Sequence, residues 1–255
     1  FEYHLDFERG ENIGGLKKTP TTKKKTGSRI RWKPDRQVFS DIDVKPEYFV
    51  DVIKKQAVVN PGITFVFKNE VGKTFETQEF YYEKGISDYI NEITEGISMT
   101  SPVSWHLETK GRDREDMKDY KLKADITFCF AKSGMAEYYH NSSFLEYGGA
   151  PDKAVKTAFT YAIDKFIKNQ NKYQKNESKI SFADIADNLS VIVNSASTQT
   201  SYENQTKKAI TNAFIQKALT EFIKTNLEIY LTENSTAANT IVNQVLVNKR
   251  ARESA

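Results

Sequence analysis

The residues with the clearest chemical potential lie in the segment 201–208, between a strand-like run and a long amphipathic stretch. Within it, Gln205 and Lys207 are separated by a single threonine. A lysine supplies a point charge and a glutamine amide supplies a directional donor, so the pair can grip a terminal phosphate. We expect the loop to lie at a helix start, where the N-terminal field also favours an anion. Alone, the tripeptide is more typical of a solvated loop. A phosphate-binding role therefore depends on what the rest of the sequence indicates.

The composition is that of an ordinary globular protein, and it excludes some functions. Hydrophobic residues make up 38% and charged residues 28% of the 255 residues, enough for one large domain or two modest ones. The net charge of +3 does not require a nucleic-acid partner, although basic residues are concentrated between Lys17 and Arg36. Because His4, His106 and His140 have no zinc-like spacing, we predict no metal site.

The single Cys129 excludes an intramolecular disulfide and is typical of a reducing cytosol, so the sequence predicts a cytoplasmic protein. We expect Cys129 beside polar neighbours in a structural role. The sequence has no run as long as a membrane span and no signal peptide, so no membrane partner is expected. The chain begins with Phe1 rather than Met, which predicts a segment of a longer protein.

The first part of the chain predicts half of an α+β sandwich. The predicted elements are a strand over 2–8, a mobile loop over 10–28, a strand over 29–32, a helix from Pro46 to about Val59, and a hairpin around Val71-Gly72. The Gly, Lys and Thr content of 10–28 is the reason for predicting a loop there.

The second part predicts a sheet with helices. The predicted elements are a helix over 85–93, strands over 103–108, 121–130 and 137–146, a helix from Pro151, a short helix from about Ser181, a strand over 189–193, and two helices over about 208–230 and 235–252. Strand 121–130 alternates most cleanly, with apolar residues on one face.

Familiar catalytic motifs are missing from the sequence. It contains no Gly-x-Ser-x-Gly, no Walker-type Gly-Lys-Ser/Thr and no His-Glu-x-x-His run. Asp113 and Asp116 fall in a charged turn, where we expect solvated carboxylates rather than an acid–base pair.

Five runs in order along the chain carry a more specific signal: 26–35, 81–86, 148–160, 205–207 and 250–253. They resemble, in turn, a Thr-Gly-Thr and Pro-Asp run, a Tyr-Glu-Gly-Gly-Ile junction, a double glycine followed by a helix, a phosphate-sensing Gln-Thr-Lys loop and an Ala-Arg-Ala-Arg-Glu exit. These features are found in bacterial type II topoisomerase B subunits, which are the ATPase subunits of DNA gyrase and topoisomerase IV. Both enzymes have the same features, so the sequence does not distinguish gyrase from topoisomerase IV. Five runs in the same order make the resemblance specific.

The sequence also departs from that family. Ala150-Pro151 replaces a Thr-His pair, Glu83-Lys84-Gly85 replaces Glu-Gly-Gly, and residues 185–189 lack an arginine of the family's Val-Arg-Glu-Gly-Leu run. The departures indicate a divergent member.

The resemblance implies an α+β fold in two parts. Residues 1–82 would be the C-terminal part of a GHKL ATP-binding domain. Residues 83–255 would be a transducer domain with a βαβ fold like that of a ribosomal protein domain, ending in a long helix. Gln205 and Lys207 would reach the γ-phosphate of ATP, with Lys207 also stabilising transition-state charge.

The resemblance also implies further site residues and partners. Thr26 and Ser28 would help to bind ATP, with Ser28 where the family has a threonine hydroxyl near the adenine. Arg250 and Arg252 would border the cavity that receives double-stranded DNA, although cations also suit a helix C-terminus. The family's general base, Mg²⁺ ligand and glycine-rich lid would precede Phe1, so we expect this chain alone to be inactive. The parent would use ATP and Mg²⁺ to drive DNA strand passage, as a homodimer of B subunits with topoisomerase A subunits.

Two other interpretations remain open. The same sheets could form a non-catalytic module that binds DNA or a partner. A mismatch-repair-type GHKL protein shares the architecture, although the Gln-Thr-Lys and Arg-Ala-Arg-Glu runs argue against it.

Overall fold

The structure is a computed structural model that describes residues 1–254. The chain divides into two compact units, Phe1–Val44 and the remainder from Lys45 onward. The predicted boundary between residues 82 and 83 therefore lies inside the second unit, and it stays a prediction.

The first unit is built on one hairpin. Strand β1 (Glu2–Glu8) pairs antiparallel with β2 (Glu11–Thr19). Arg9 and Gly10 reverse the chain between them with φ of 52° and 84°. The prediction of a mobile loop over 10–28 was therefore wrong for its first half. The strand predicted over 29–32 was also wrong, because that segment has no regular structure.

The second unit contains the remaining elements. They are α1 (Pro46–Val59), β3 (Phe65–Val71), β4 (Thr74–Phe80), α2 (Ile86–Thr94), β5 (Val103–Gly111), β6 (Tyr120–Phe130), β7 (Met135–His140), β8 (Ser143–Phe144), β9 (Gly148–Gly149), α3 (Ala150–Asn169), α4 (Phe182–Ala186), β10 (Leu189–Ser197), β11 (Ala209–Ile210), α5 (Ala213–Glu233) and α6 (Ser235–Ser254). Strands β3 and β4 form an antiparallel hairpin, as predicted.

A five-stranded sheet with the order β5-β6-β10-β7-β8 organises the second unit. β10 lies at its centre, antiparallel to β6 and parallel to β7. The parallel pair requires a crossover, and α3 lies between β7 and β10 in the chain, which gives the predicted βαβ unit.

Hydrophobic residues are buried on both faces of this sheet. On one face Phe128 and its alternate neighbours on β6 pack against α3, α5 and α6. On the other face Cys129 and Ile192 pack with residues of α1 and α2. The expectation of polar neighbours for Cys129 holds only in part: Ser190 lies opposite it on β10, but α2 covers that part of the outer face and leaves the thiol fully buried among apolar residues.

A short strand, β11, stands where the sequence predicted the start of a helix. β11 pairs with β9 through Ala209 and Ile210, and α5 begins only at Ala213. The predicted start of this helix at about 208 was therefore too early. In the described residues no helix combines the length and apolar character needed to cross a membrane.

Candidate functional site

The Gln-Thr-Lys loop (residues 201–208) leaves the central strand β10 and returns to the protein through β11. Tyr202 forms an antiparallel bridge with Ile210, and the Glu203 amide donates to the Ala209 carbonyl at 3.0 Å. The Thr211 amide donates to the Ser201 carbonyl at 2.8 Å. The loop is thus a tight excursion with a hydrogen-bonded base.

The end of the loop is fastened to the turn between β5 and β6. The Asn212 side chain accepts from the Ser201 amide at 2.8 Å and donates to Asp113 at 3.0 Å. Asp113 also accepts from the Phe214 amide at 2.8 Å and from the Tyr120 hydroxyl at 2.8 Å. Asp113 therefore satisfies a backbone donor in the first turn of α5, which any helix start leaves free. It is not the solvated turn residue that was expected.

The loop was predicted to lie at the N-terminus of a helix, but the structure does not place it there. α5 begins six positions after Lys207, and its N-terminus faces the Asp113 carboxylate. A negative side chain there takes up the favourable interaction that an anion would otherwise have. An anion at this loop would therefore have to be bound by the loop's own side chains.

Glycine allows β9 to approach β11. A Cβ on Gly149 would lie 2.2 Å from the Ile210 carbonyl oxygen, and Gly149 has φ of 79°. Any other residue would force the two strands apart. The double glycine therefore holds the base of the loop against the start of α3.

The tip of the loop is exposed. Both Gln205 and Lys207 are exposed, and within residues 1–254 neither side chain makes a hydrogen bond or ion pair. Lys207 has φ of 56°, a left-handed conformation that is uncommon for a residue with a side chain. Its ammonium lies 5.5 Å from the ring centre of Tyr202, an interaction worth little at an exposed site.

The neighbouring lysine is engaged instead. Lys208 forms an ion pair with Glu146 and lies 5.4 Å from the ring centre of Tyr147. Its backbone carbonyl also accepts from the Tyr147 amide at 2.9 Å. Two adjacent lysines thus differ in role, because one fastens the loop and the other projects from it.

The start of the loop is fixed by a histidine that the sequence did not single out for chemistry. His140 is fully buried, and its ring nitrogens lie 2.8 Å from the Ser195 hydroxyl and 2.9 Å from that of Thr200. Burial lowers the pKa of His140 to about 4, so the ring is neutral at pH 7. No local pattern could have found this contact, since the partners lie 55 and 60 positions apart in the chain.

The other predicted nucleotide contacts belong to the first unit. Thr26 and Ser28 both lie in its extended segment after β2, and both are exposed. Their predicted role in binding ATP, with Ser28 near the adenine, stays a prediction.

The predicted DNA contacts have carboxylate partners. Arg250 donates to both oxygens of Glu177 at 3.0 and 3.1 Å, and Arg252 donates to both oxygens of Asp184 at 2.7 and 3.1 Å. Lys249, fully buried, contacts Glu177 at 3.3 Å. We call this group the C-terminal ion-pair cluster: Glu177, Asp184, Lys249, Arg250, Arg252 and Glu253. Its arginines are half-exposed, so their DNA role stays a prediction.

The prediction about metal sites can be compared with the residues that the structure describes. Among residues 1–254, no group of three or more His, Cys, Asp or Glu side chains could hold a metal ion.

Curated relatives resemble the chain along nearly its whole length. The DNA gyrase B subunit of Chlamydia muridarum is 26% identical over 253 residues, which cover 99% of this chain and 31% of the relative. The DNA gyrase B subunit of Metamycoplasma arthritidis is 26% identical over 231 residues, covering 90% of this chain and 36% of the relative. The chain thus spans about a third of the length of these relatives.

Solved structures share the fold. The topoisomerase IV ATP binding domain of Francisella tularensis matches with a TM-score of 0.75 and 23% identity, covering 98% of this chain and 66% of that one. The 43K ATPase domain of Thermus thermophilus gyrase B matches with a TM-score of 0.67 and 19% identity, covering 99% and 66%. These similarities confirm the predicted fold class.

A family model shows the membership directly. The DNA gyrase B model matches residues 85–255, well over half of the chain. The chain therefore belongs to the DNA gyrase B family.

Proposed function

We propose that this chain is the part of a type II topoisomerase B subunit that couples ATP binding and hydrolysis to DNA strand passage, with the Gln-Thr-Lys loop sensing the γ-phosphate. In the complete subunit it would act with a second B subunit, topoisomerase A subunits and double-stranded DNA. The family membership supports the parent activity, and the loop geometry supports the assignment of the sensor.

The observation that carries the sensor assignment is the contrast between the base and the tip of the loop. The base is fixed by backbone pairing and by the Asn212 and Asp113 side chains. The tip projects Gln205 and Lys207 into solvent, and Lys207 is in a left-handed conformation. Strained residues on well-fixed loops are concentrated at functional sites. A fixed base lowers the conformational entropy that the loop loses when a ligand binds.

The side chains at the tip fit the terminal phosphate of a nucleotide. ATP, when bound, supplies that phosphate and the free energy of its hydrolysis. Lys207 offers three donors and a full charge, and the Gln205 amide offers two donors, which suits an anion with several acceptor oxygens. Thr26 and Ser28 would contribute contacts to the nucleotide, Ser28 near its adenine, as the family resemblance implies. Mg²⁺ belongs to the proposed parent enzyme, and no step here depends on residues of this chain binding it.

Loss of the phosphate after hydrolysis would remove the target of the loop. The loop then loses the contacts that favour one arrangement, and the equilibrium shifts toward another. Because β10 leads directly into the loop, a displacement there acts on the central strand of the sheet. We propose that this is the mechanical link between nucleotide and gate.

The test is ATP turnover by the complete subunit with Lys207→Ala and with Gln205→Ala. We expect Lys207→Ala to lower kcat by about a hundredfold, as for removal of one transition-state donor. Gln205→Ala should lower it less, because a neutral donor stabilises charge less strongly. Lys175→Ala, at another exposed loop lysine, is the matched control and should leave turnover unchanged. Wild-type turnover by Lys207→Ala would exclude the sensor and favour a non-catalytic binding module.

A further inference from the structure

His140 occupies an unusual place, buried at the end of β7 and facing the last residues of β10. It contacts three hydroxyl groups, at 2.8 Å on Ser195, 3.0 Å on Ser197 and 2.9 Å on Thr200. Thr200 is the residue immediately before the Gln-Thr-Lys loop. The ring therefore bridges the strand β10 and Thr200, which lies three residues after the end of that strand.

A ring with its proton on Nδ1 fits these hydroxyl groups together with their other partners. In that arrangement the Ser195 hydroxyl donates to the Tyr139 carbonyl at 3.1 Å and accepts from Nδ1 of His140 at 2.8 Å. The Ser197 hydroxyl donates to the Gln199 carbonyl at 2.6 Å, and the Thr200 hydroxyl donates to Nε2 at 2.9 Å.

A second side chain supports the same arrangement. The Asn141 amide donates to the Thr200 hydroxyl at 3.1 Å and to the Ser197 carbonyl at 3.2 Å. Its carbonyl oxygen accepts from the Ser197 amide at 3.0 Å. Thr200 therefore accepts one hydrogen bond and donates another, and its side chain is fixed in both directions. The low pKa of His140 is consistent with this neutral ring.

We infer that His140 is a positioning residue for the phosphate sensor: through the hydroxyl of Thr200 it fixes the start of the Gln-Thr-Lys loop, so that Gln205 and Lys207 project from a base secured at both ends. Asn212 lies just after the other end of the loop, where it donates to Asp113 and accepts from the Ser201 amide, so it ties that end to the start of the loop. The structural part of this inference concerns the chain alone, whereas its role in turnover rests on the proposed function of the loop.

The structural part can be tested on the 255-residue chain by nuclear magnetic resonance. Nitrogen shifts of His140 at pH 7 should show Nδ1 protonated and Nε2 bare. Thr200→Val removes the donor at nearly constant size, and Thr200→Ser keeps it. We expect hydrogen exchange at the Glu203 and Thr211 amides to accelerate roughly tenfold in Thr200→Val, the equivalent of one lost hydrogen bond, and to stay near wild type in Thr200→Ser.

Cys129→Ala is the matched control for general destabilisation. Cys129 is fully buried and pairs with Ser190, at the opposite end of β10 from the loop. This variant should lower the melting temperature without selective exchange in the loop. A protonated Nε2, equal loop exchange in the two Thr200 variants, or the same selective loop exchange in Cys129→Ala would each overturn the inference.

Turnover by the complete subunit separates this inference from the proposed function. We expect Thr200→Val to lower kcat roughly tenfold, Thr200→Ser to restore it, and the loss to be largely absent once Lys207 is already alanine. If Lys207→Ala has no effect, the proposed function fails. If Lys207→Ala is impaired but both Thr200 variants behave alike, or if the losses simply add, only the positioning role fails.

Discussion

The Gln-Thr-Lys loop and the C-terminal ion-pair cluster both concentrate basic side chains, yet they use them in opposite ways. In the loop, Lys207 is exposed and its nearest interaction is with the Tyr202 ring. In the cluster, Lys249 is fully buried between the carboxylates of Glu177 and Glu253. One charge is available to a ligand, and the other is neutralised within the protein.

The difference indicates what each region contributes. Burying a charge is costly unless it is paired, so the cluster fixes one geometry for the end of α6 against the segment before β10. Asn248 extends this contact by donating to Asn188, the residue just before β10, at 2.7 Å. β10 therefore connects two different regions. The C-terminal ion-pair cluster, whose charges neutralise one another, lies at its start, and the Gln-Thr-Lys loop, with an exposed cationic tip, follows its end. A mechanical element that reports a ligand needs both properties.

Removing the shared carboxylate of the cluster should have the largest effect on stability. Glu177→Ala deprives Arg250 of both its hydrogen bonds and leaves buried Lys249 with Glu253 alone. We expect a loss of about 4 kcal/mol in the free energy of unfolding, measured by urea denaturation of the chain. The exposed pair of Arg114 and Asp116 is the control, and Asp116→Ala should change stability by less than about 1 kcal/mol. Equal effects would contradict the contrast between the regions.

The two regions should also lose stability in different pH windows. The pKa of His140 is about 4 in the folded chain, against an ordinary 6.5, because the ring is buried. As pH falls from 6.5 to 4, the unfolded chain takes up this proton first, so up to about 3 kcal/mol of stability is lost. Hydrogen bonds from Arg250 lower the pKa of Glu177 to about 2, from 4.5, so its contribution is lost between those values.

The pH window of His140 can be checked by measuring the unfolding free energies of wild type and His140→Gln as a function of pH. Wild type should lose stability relative to His140→Gln between pH 6.5 and 4, because the variant has no group titrating at that position. Glu177→Gln should leave this upper window unchanged. A constant difference between wild type and His140→Gln across the range would mean that the ring takes up its proton over the same pH range in the folded and the unfolded chain, which would contradict the lowered pKa.

A smaller effect is expected at the base of the loop. Asp113→Ala removes the acceptor for the Phe214 amide and for Asn212 and Tyr120. We expect it to cost about 1–2 kcal/mol in unfolding free energy, as for the loss of a helix cap. Amide exchange at Phe214 should rise with it, whereas Asp116→Ala should leave that amide unchanged. An unaltered Phe214 amide would show that Asp113 does not cap α5.

The smallest effect concerns the DNA contacts predicted for Arg250 and Arg252. Since both guanidinium groups are bidentate to carboxylates, we expect them to release few counterions on binding duplex DNA. Replacing both by Gln in the complete subunit should reduce the slope of log affinity against log salt by less than about 1. A reduction near 2 would mean that both leave their partners for phosphates, at roughly one unit of slope for each contact.

Local sequence patterns predicted the elements whose residues act locally. Pro46 marked the first residue of α1, and alternation along β6 predicted its buried face. β2 was missed because Gly14 and Gly15 suggest a loop, whereas pairing with β1 makes the segment a strand.

The start of α5 was misplaced for a related reason. Ala209 and Ile210 continue the helical pattern in the sequence. In the structure they pair instead with the double glycine at 148–149 and form β11. In the same way, Gln205 and Lys207 could be found from type and order, while Asp113 and His140, which fix the loop, act on residues far along the chain. Contacts between residues so far apart in the chain cannot be predicted from the spacing of neighbouring residues.

The central claim is that Lys207 recognises the terminal phosphate, and nucleotide affinity tests it most directly. The measurement compares the Kd of the complete subunit for a non-hydrolysable ATP analogue and for ADP, in wild type and in Lys207→Ala. We predict that the variant binds the ATP analogue about tenfold or more weakly and ADP as before, because only the triphosphate offers the group that Lys207 contacts. An equal change for both nucleotides, or no change for either, would contradict the claim.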